Sequence, residues 1–349
     1  MSERRRAWPC APSEAETEWI QGVLESSDKP FNALDPLCGS GSVLYECGLK
    51  GWRCTGMEGD PFMRWIAMAR SFRYRPDAAE FAGYAWERVA DDVFWEPDAY
   101  TVPEVSGVMS FGPLKNDFLR RVRRQIDKES DEGINNILRM TICDALPALA
   151  GGDEGFDDRA GMDLLGDSLL KIKTGLEPNP EVSQTVHLCD SRDIPCPLRN
   201  SYDLVVSVLP MIGESPDAQL RRTMCQWIGY DDLVRRDDMC IGYPLGGFDR
   251  YMDMYVPDNS CVIRDMLPAV EHQDYLVRWF EDVRDVVISL KSVMSSKCRA
   301  SFLCPDEVFE GSSVYKAEVI ASLAEMEGFE VSTEGTGERR CVVFEKRPQ

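Results

Sequence analysis

The stretch Asp35-Pro36-Leu37-Cys38-Gly39-Ser40-Gly41-Ser42 carries the densest chemistry in this sequence. The apolar run Phe31–Leu34 before it reads as a short buried strand, and Val43–Leu49 after it reads as a helix closed by Gly51. Gly39 and Gly41 lack side chains, so a ligand can approach the backbone of the turn closely. The helix that follows presents N–H groups and the positive end of its dipole. An acid at the strand end, Asp35, suits an amino group. Glu58 lies seventeen residues beyond Gly41 and ends the next strand, Trp52–Met57. An acid there is placed to accept both hydroxyls of a ribose. A Gly-rich turn alone would be ordinary, and the downstream acid in this strand–turn–helix–strand context is what favours a nucleoside-type ligand.

The elements around the turn support that placement. Residues 14–25 form an amphipathic helix with Trp19, Ile20, Val23 and Leu24 on one face, and Pro61–Arg73 forms another. Strand, turn, helix, strand, helix is the opening of a doubly wound sheet. Strands resume at Thr185–Cys189 and Tyr202–Ser207. An irregular stretch from Met211 to about Glu271 leads to a clear helix, where Leu276, Phe280, Val283, Val287 and Leu290 repeat at helical spacing. A strand at Ala300–Leu303, a helix at Tyr315–Glu327 and a hairpin of Phe329–Thr333 with Arg340–Glu345 finish the chain. The expected fold is therefore α/β: a Rossmann-like, seven-stranded sheet with a mostly helical insertion. Residues 1–73 hold an N-terminal helix and the first half of the sheet domain, 74–180 the insertion or recognition subdomain, and 181–349 the second half.

Other residues carry weaker signals. Lys115, Arg120, Arg121, Arg123 and Arg124 cluster in the insertion, where they would meet phosphates or, on the plainer reading, pack their aliphatic stems as a solvated face. The net charge of −21 favours the plainer reading, because a protein that grips nucleic acid normally carries a basic face. Arginine outnumbers lysine 29 to 10, so the acidity also suits a salty cytoplasm. His187 reads as a core or pocket-edge residue of a buried strand. Trp227 and Tyr230 line a substrate pocket or, at this spacing, the core. Thirteen cysteines contain no C-x-x-C pair, and with only two histidines no metal site is expected. No apolar run is long enough for a membrane span and no signal peptide is visible, so a soluble, cytoplasmic location is expected.

The segment from Asn32 to Phe62 resembles motif I and its sequel in the amino-group DNA methyltransferases, which make N6-methyladenine or N4-methylcytosine, and is similar to RNA guanine-N2 methyltransferases carrying a D-P-x-C-G-S-G string. The resemblance implies S-adenosylmethionine as cofactor, with Asp35, Pro36, Cys38, Gly39, Ser40, Gly41 and Glu58 in its site. His187–Pro195 resembles the segment before the catalytic strand, which implies that Asp190 contacts the adenine. Tyr202–Ser207 is similar to the catalytic strand, and Thr223–Leu233 to an aromatic stretch downstream. At the catalytic position the family carries Asp, Asn or Ser, then Pro-Pro and an aromatic residue. This sequence has Val208-Leu209-Pro210-Met211. Valine accepts no hydrogen bond, methionine offers no aromatic face, and Asp203 lies too far back to substitute. Three functions stay open: a methyltransferase related to the DNA enzymes, with DNA as partner; a silent cofactor-binding protein that pairs with an active subunit; and a methyltransferase of RNA or a small molecule.

Overall fold

A computed structural model describes residues 8–26, 32–95, 111–176, 179–195, 201–212, 224–225, 227–228, 241 and 260–346. The chain divides into two compact units. One comprises residues 12–71, 181–215 and 235–349, the other 1–11, 72–180 and 216–234.

The first unit holds the sheet. Its elements in chain order are α1 (Glu14–Glu25), β1 (Asn32–Asp35), α2 (Ser42–Leu49), β2 (Arg53–Glu58), α3 (Pro61–Arg70), β3 (Thr185–Leu188) and β4 (Tyr202–Val208). After them come α4 (Ser260–Met266), α5 (Gln273–Val293), β5 (Met294–Leu303), β6 (Glu307–Phe309), β7 (Ser312–Val314), α6 (Lys316–Met326), β8 (Phe329–Glu334) and β9 (Cys341–Lys346). Seven strands form one sheet in the order β3-β2-β1-β4-β5-β9-β8, while β6 and β7 pair separately. The first five run parallel, and β9 is antiparallel to both β5 and β8. This is a Rossmann-like, seven-stranded and mostly parallel sheet, as expected.

Local chemistry explains the elements. Ser13 and Glu16 form a reciprocal capping box that starts α1. Asp60 caps α3 from its side chain, with Pro61 in the first turn where a missing N–H costs nothing. Helices cover both faces of the sheet. On one face Ile20 and Leu24 of α1 and Val43 and Leu44 of α2 pack over Ala33, Leu204 and Val206. On the other, Trp279, Phe280, Val283, Val287 and Leu290 of α5 pack over Val205, Ala300, Phe302 and Phe344. Phe302 stacks diagonally on Phe344 at 5.3 Å across the antiparallel β5–β9 pair, which favours the register of those two strands.

Among the described residues the second unit holds four long helices: α7 (Ala78–Trp95), α8 (Pro113–Asp127), α9 (Glu132–Leu149) and α10 (Asp158–Thr174). Asp131 and Asp157 cap the last two. Phe118, Leu119, Val122, Ile137, Leu146 and Leu165 are among its buried residues.

The structure differs from the sequence reading in several places. α3 ends at Arg70, where Ser71 turns its hydroxyl back onto the Ala67 carbonyl. β5 begins at Met294, directly from the end of α5. The β6–β7 hairpin was not expected; Glu310 and Gly311 both take positive φ at its turn. His187 is exposed, because β3 is the edge strand of the sheet and Val186 alone of its four residues is buried. Trp227 is buried and meets Phe111 edge-on at 6.1 Å, a core contact of the helical unit. Tyr230 and most of Thr223–Leu233 lie outside the described residues.

Candidate functional site

Strand order reverses between β1 and β4, and in open α/β sheets such switch points place a crevice at the carboxyl ends of the strands. Asp35 ends β1 at that point. It is 2% exposed, and its Oδ1 accepts from Ser207 Oγ of β4 at 2.6 Å and from the Leu37 N–H at 3.3 Å. Burial pushes its carboxyl up to about 7, against the lowering effect of those two hydrogen bonds.

The turn leaves β1 through Pro36 and Leu37 and enters α2. Gly41 occupies the helix N-cap with φ +79, where an added Cβ would lie 2.8 Å from the Ala67 Cα of α3. Only glycine fits both that conformation and that approach. Gly39 also has positive φ, but a Cβ there would meet nothing within 4 Å, so the space beside its backbone is open.

Glu58 ends β2 on the other side of the turn. Its Oε2 accepts from the Gly39 N–H at 2.9 Å and its Oε1 from the Asp60 N–H at 2.8 Å. One carboxylate thus ties the glycine turn to the start of α3. Burial, then the neighbouring Asp60 charge, raises the Glu58 carboxyl to about 7, while the two backbone hydrogen bonds oppose the rise. Two acids at the ends of neighbouring strands thus both have carboxyls raised by burial.

Cys38 is buried between them. Burial first, then the charges of Glu58 and Asp35, push its thiol well up, so it is a packing residue and no nucleophile. Asp190 lies after β3. Both of its oxygens accept from Arg192, whose guanidinium also reaches the buried Asp282 of α5 at 2.8 Å. Ser191 donates to the Pro36 carbonyl, so this loop is fastened to the turn after β1.

Val208 and Leu209 continue β4 beside Leu303. Leu209 is buried and Met211 is 63% exposed. None of the four side chains at 208–211 offers an oxygen or nitrogen acceptor, and the Ser207 hydroxyl is turned to Asp35. The loop is held by Glu307, whose two oxygens accept from the Ile212 N–H at 3.1 Å, and Glu307 pairs with the buried Lys316 at 2.9 Å. The basic cluster on α8 lies in the helical unit, where its members differ in their surroundings. Arg121 pairs with Asp117 and Asp158 and donates to the Val93 carbonyl. Arg123 is buried 3.6 Å from Asp127, Lys115 lies over the Phe156 ring, and Arg120 and Arg124 are half-buried.

Sequence reasoning missed Ser207, Asp60, Glu307, Lys316 and Arg70. Asp60 before Pro61 was a readable cap signal. The other contacts join residues far apart in sequence, and no local pattern announces them. Among the described residues, no cysteine is in a disulfide, no acid–histidine–cysteine group is arranged to hold a metal, and no helix is long and apolar enough to cross a membrane.

No protein-family model matches the chain, and no curated protein matches it. Among solved structures it is similar to the PH0226 protein from Pyrococcus horikoshii OT3 at 9% identity and TM-score 0.36, covering 95% of this chain and 90% of that one. It is also similar to a TehB-like SAM-dependent methyltransferase from Corynebacterium glutamicum at 10% identity and TM-score 0.33, covering 97% and 90%. Likeness at this level does not reach function.

Proposed function

We propose that this chain binds S-adenosylmethionine at the crevice between β1, β2 and β4 and works as a methyltransferase related to the amino-group DNA enzymes. The observation that carries the reading is the pair of acids Asp35 and Glu58, set at the ends of adjacent strands and joined through the Gly39–Gly41 turn. The fit to the cofactor is chemical. A buried carboxylate at Asp35 matches the methionine ammonium, and Glu58 matches the ribose hydroxyls. The open side of Gly39 admits the ligand backbone-close, and Asp190 stands on the loop fastened to this turn. The bound cofactor supplies an electrophilic methyl group. The chain's own contribution to an in-line transfer is to orient and to exclude water.

The acceptor approaches Val208–Met211. Backbone carbonyls and the exposed Met211 face are the groups this loop offers, and a target amine finds no acidic or amide side chain in it. That observation favours a second reading, a cofactor-binding subunit that assists a separate active chain. The discriminating experiment supplies tritiated S-adenosylmethionine to the purified chain with duplex DNA, RNA or protein as acceptor. Incorporation into DNA amino groups supports the first reading. Cofactor binding without incorporation into any of the three supports the second.

A further inference from the structure

A buried cation lies beside the 35–42 turn. Arg70, in the last turn of α3, is 3% exposed. A buried cation is costly unless the structure uses it. Its Nη1 donates to Ser40 Oγ at 3.0 Å, and lies 3.4 Å from both the Ser40 carbonyl and Ser42 Oγ. The guanidinium also sits 5.9 Å from the centre of the Tyr45 ring, on the helix that follows the turn. Among the described residues, Arg70 is the cation hydrogen-bonded to the 35–42 turn.

Arginine only donates, so both serine oxygens act as acceptors toward it. The two hydroxyls stand 3.5 Å apart, and one of their O–H groups at most is used between them. At least one O–H is left to donate away from Arg70. A polarised hydroxyl backed by a fixed positive charge is a donor suited to an anion. The ammonium and carboxylate of an amino acid share one carbon, so an ammonium held at Asp35 brings a carboxylate to the same turn.

We propose that Arg70 is a positioning residue that holds Ser40 and Ser42 for the methionine carboxylate and gives the site its preference for a carboxylate-bearing ligand. The inference rests on the S-adenosylmethionine reading above. Its role is distinct from that of a packing residue, because it discriminates between two ligands that differ in one group.

The test uses the whole chain and two probes, S-adenosylmethionine and its decarboxylated form, titrated calorimetrically against wild type, Arg70→Met and Arg70→Lys. Thermal melts confirm that each variant is folded. The wild type should prefer the carboxylate-bearing probe by about tenfold or more, the effect of one charge-assisted hydrogen bond. Arg70→Met should erase most of that preference while leaving the affinity for the decarboxylated probe within about twofold. Arg70→Lys, which keeps the charge, should restore part of it. Equal losses for both probes, or a wild type that does not distinguish them, would overturn the inference and leave the cofactor reading standing. Binding of neither probe to the folded wild type would overturn both.

Discussion

Cofactor binding should release protons and strengthen with pH. Asp35 and Glu58 each have a carboxyl raised to about 7, mainly by burial. A ligand ammonium at Asp35, and ribose hydroxyls donating to Glu58, require the ionised forms. For a group with that pKa, roughly one molecule in ten is ionised at pH 6 and nine in ten at pH 8, so each acid contributes about a tenfold rise in affinity, or about 1.4 kcal/mol. Two independent acids give up to about a hundredfold, and at pH 7 binding should expel about one proton in total. Calorimetry of S-adenosylmethionine binding in buffers of different ionisation enthalpy counts those protons directly. Asp35→Asn should remove about half of the release. The same acids set the sign of stability in the ligand-free chain. Their folded pKa values are raised, so their stabilising contribution is complete below pH 4 and is lost as pH rises through 7. The apo melting temperature should therefore fall from pH 5 to pH 8, and saturating cofactor should cancel that trend. Affinity independent of pH with no proton release would refute the assignment of these acids to the ligand.

Other outcomes follow from single contacts. Gly41→Ala forces a Cβ against Ala67 at a positive φ, so it should cost about 1–3 kcal/mol of stability and sharply weaken cofactor binding, read by melting and titration. Lys316→Met removes the buried partner of the half-buried Glu307 beside the Ile212 amide, and should destabilise the chain by about 3 kcal/mol in urea unfolding while leaving cofactor affinity near wild type. Charge reversal of Arg121 should lower stability through its lost pairs with Asp117 and Asp158, without changing the salt dependence of any DNA binding.

Periodicity and turn chemistry made much of the sheet domain legible. The boundaries of α1 were read to the residue, and β1, β2 and β4 to within a residue or two, because strand, Gly-rich turn and helix follow one another with clear breaks. The closing hairpin was visible in its Gly335–Gly337 turn. β5 was read six residues short, because Met294–Arg299 follows α5 without a turn residue and shows no clean alternation of burial. His187 shows the limit of composition: an apolar-looking strand gives no sign of lying at a sheet edge. The basic run on α8 was legible as a cluster but not as a set of pairs, since Asp158, the partner of Arg121, stands on another helix. In the candidate site, Asp35 and Glu58 were singled out from their place after two strands and around the Gly-rich turn. Ser207 and Arg70 were not, because their meaning comes from which strand and which helix the fold brings beside the turn.

The most direct test of the central claim is calorimetric titration of S-adenosylmethionine, with S-adenosylhomocysteine alongside, into wild type and Glu58→Ala. The account predicts binding in the micromolar range or tighter, about 8 kcal/mol, that the variant loses while remaining folded. Absence of binding by the folded wild type, or binding unchanged in Glu58→Ala, would contradict it.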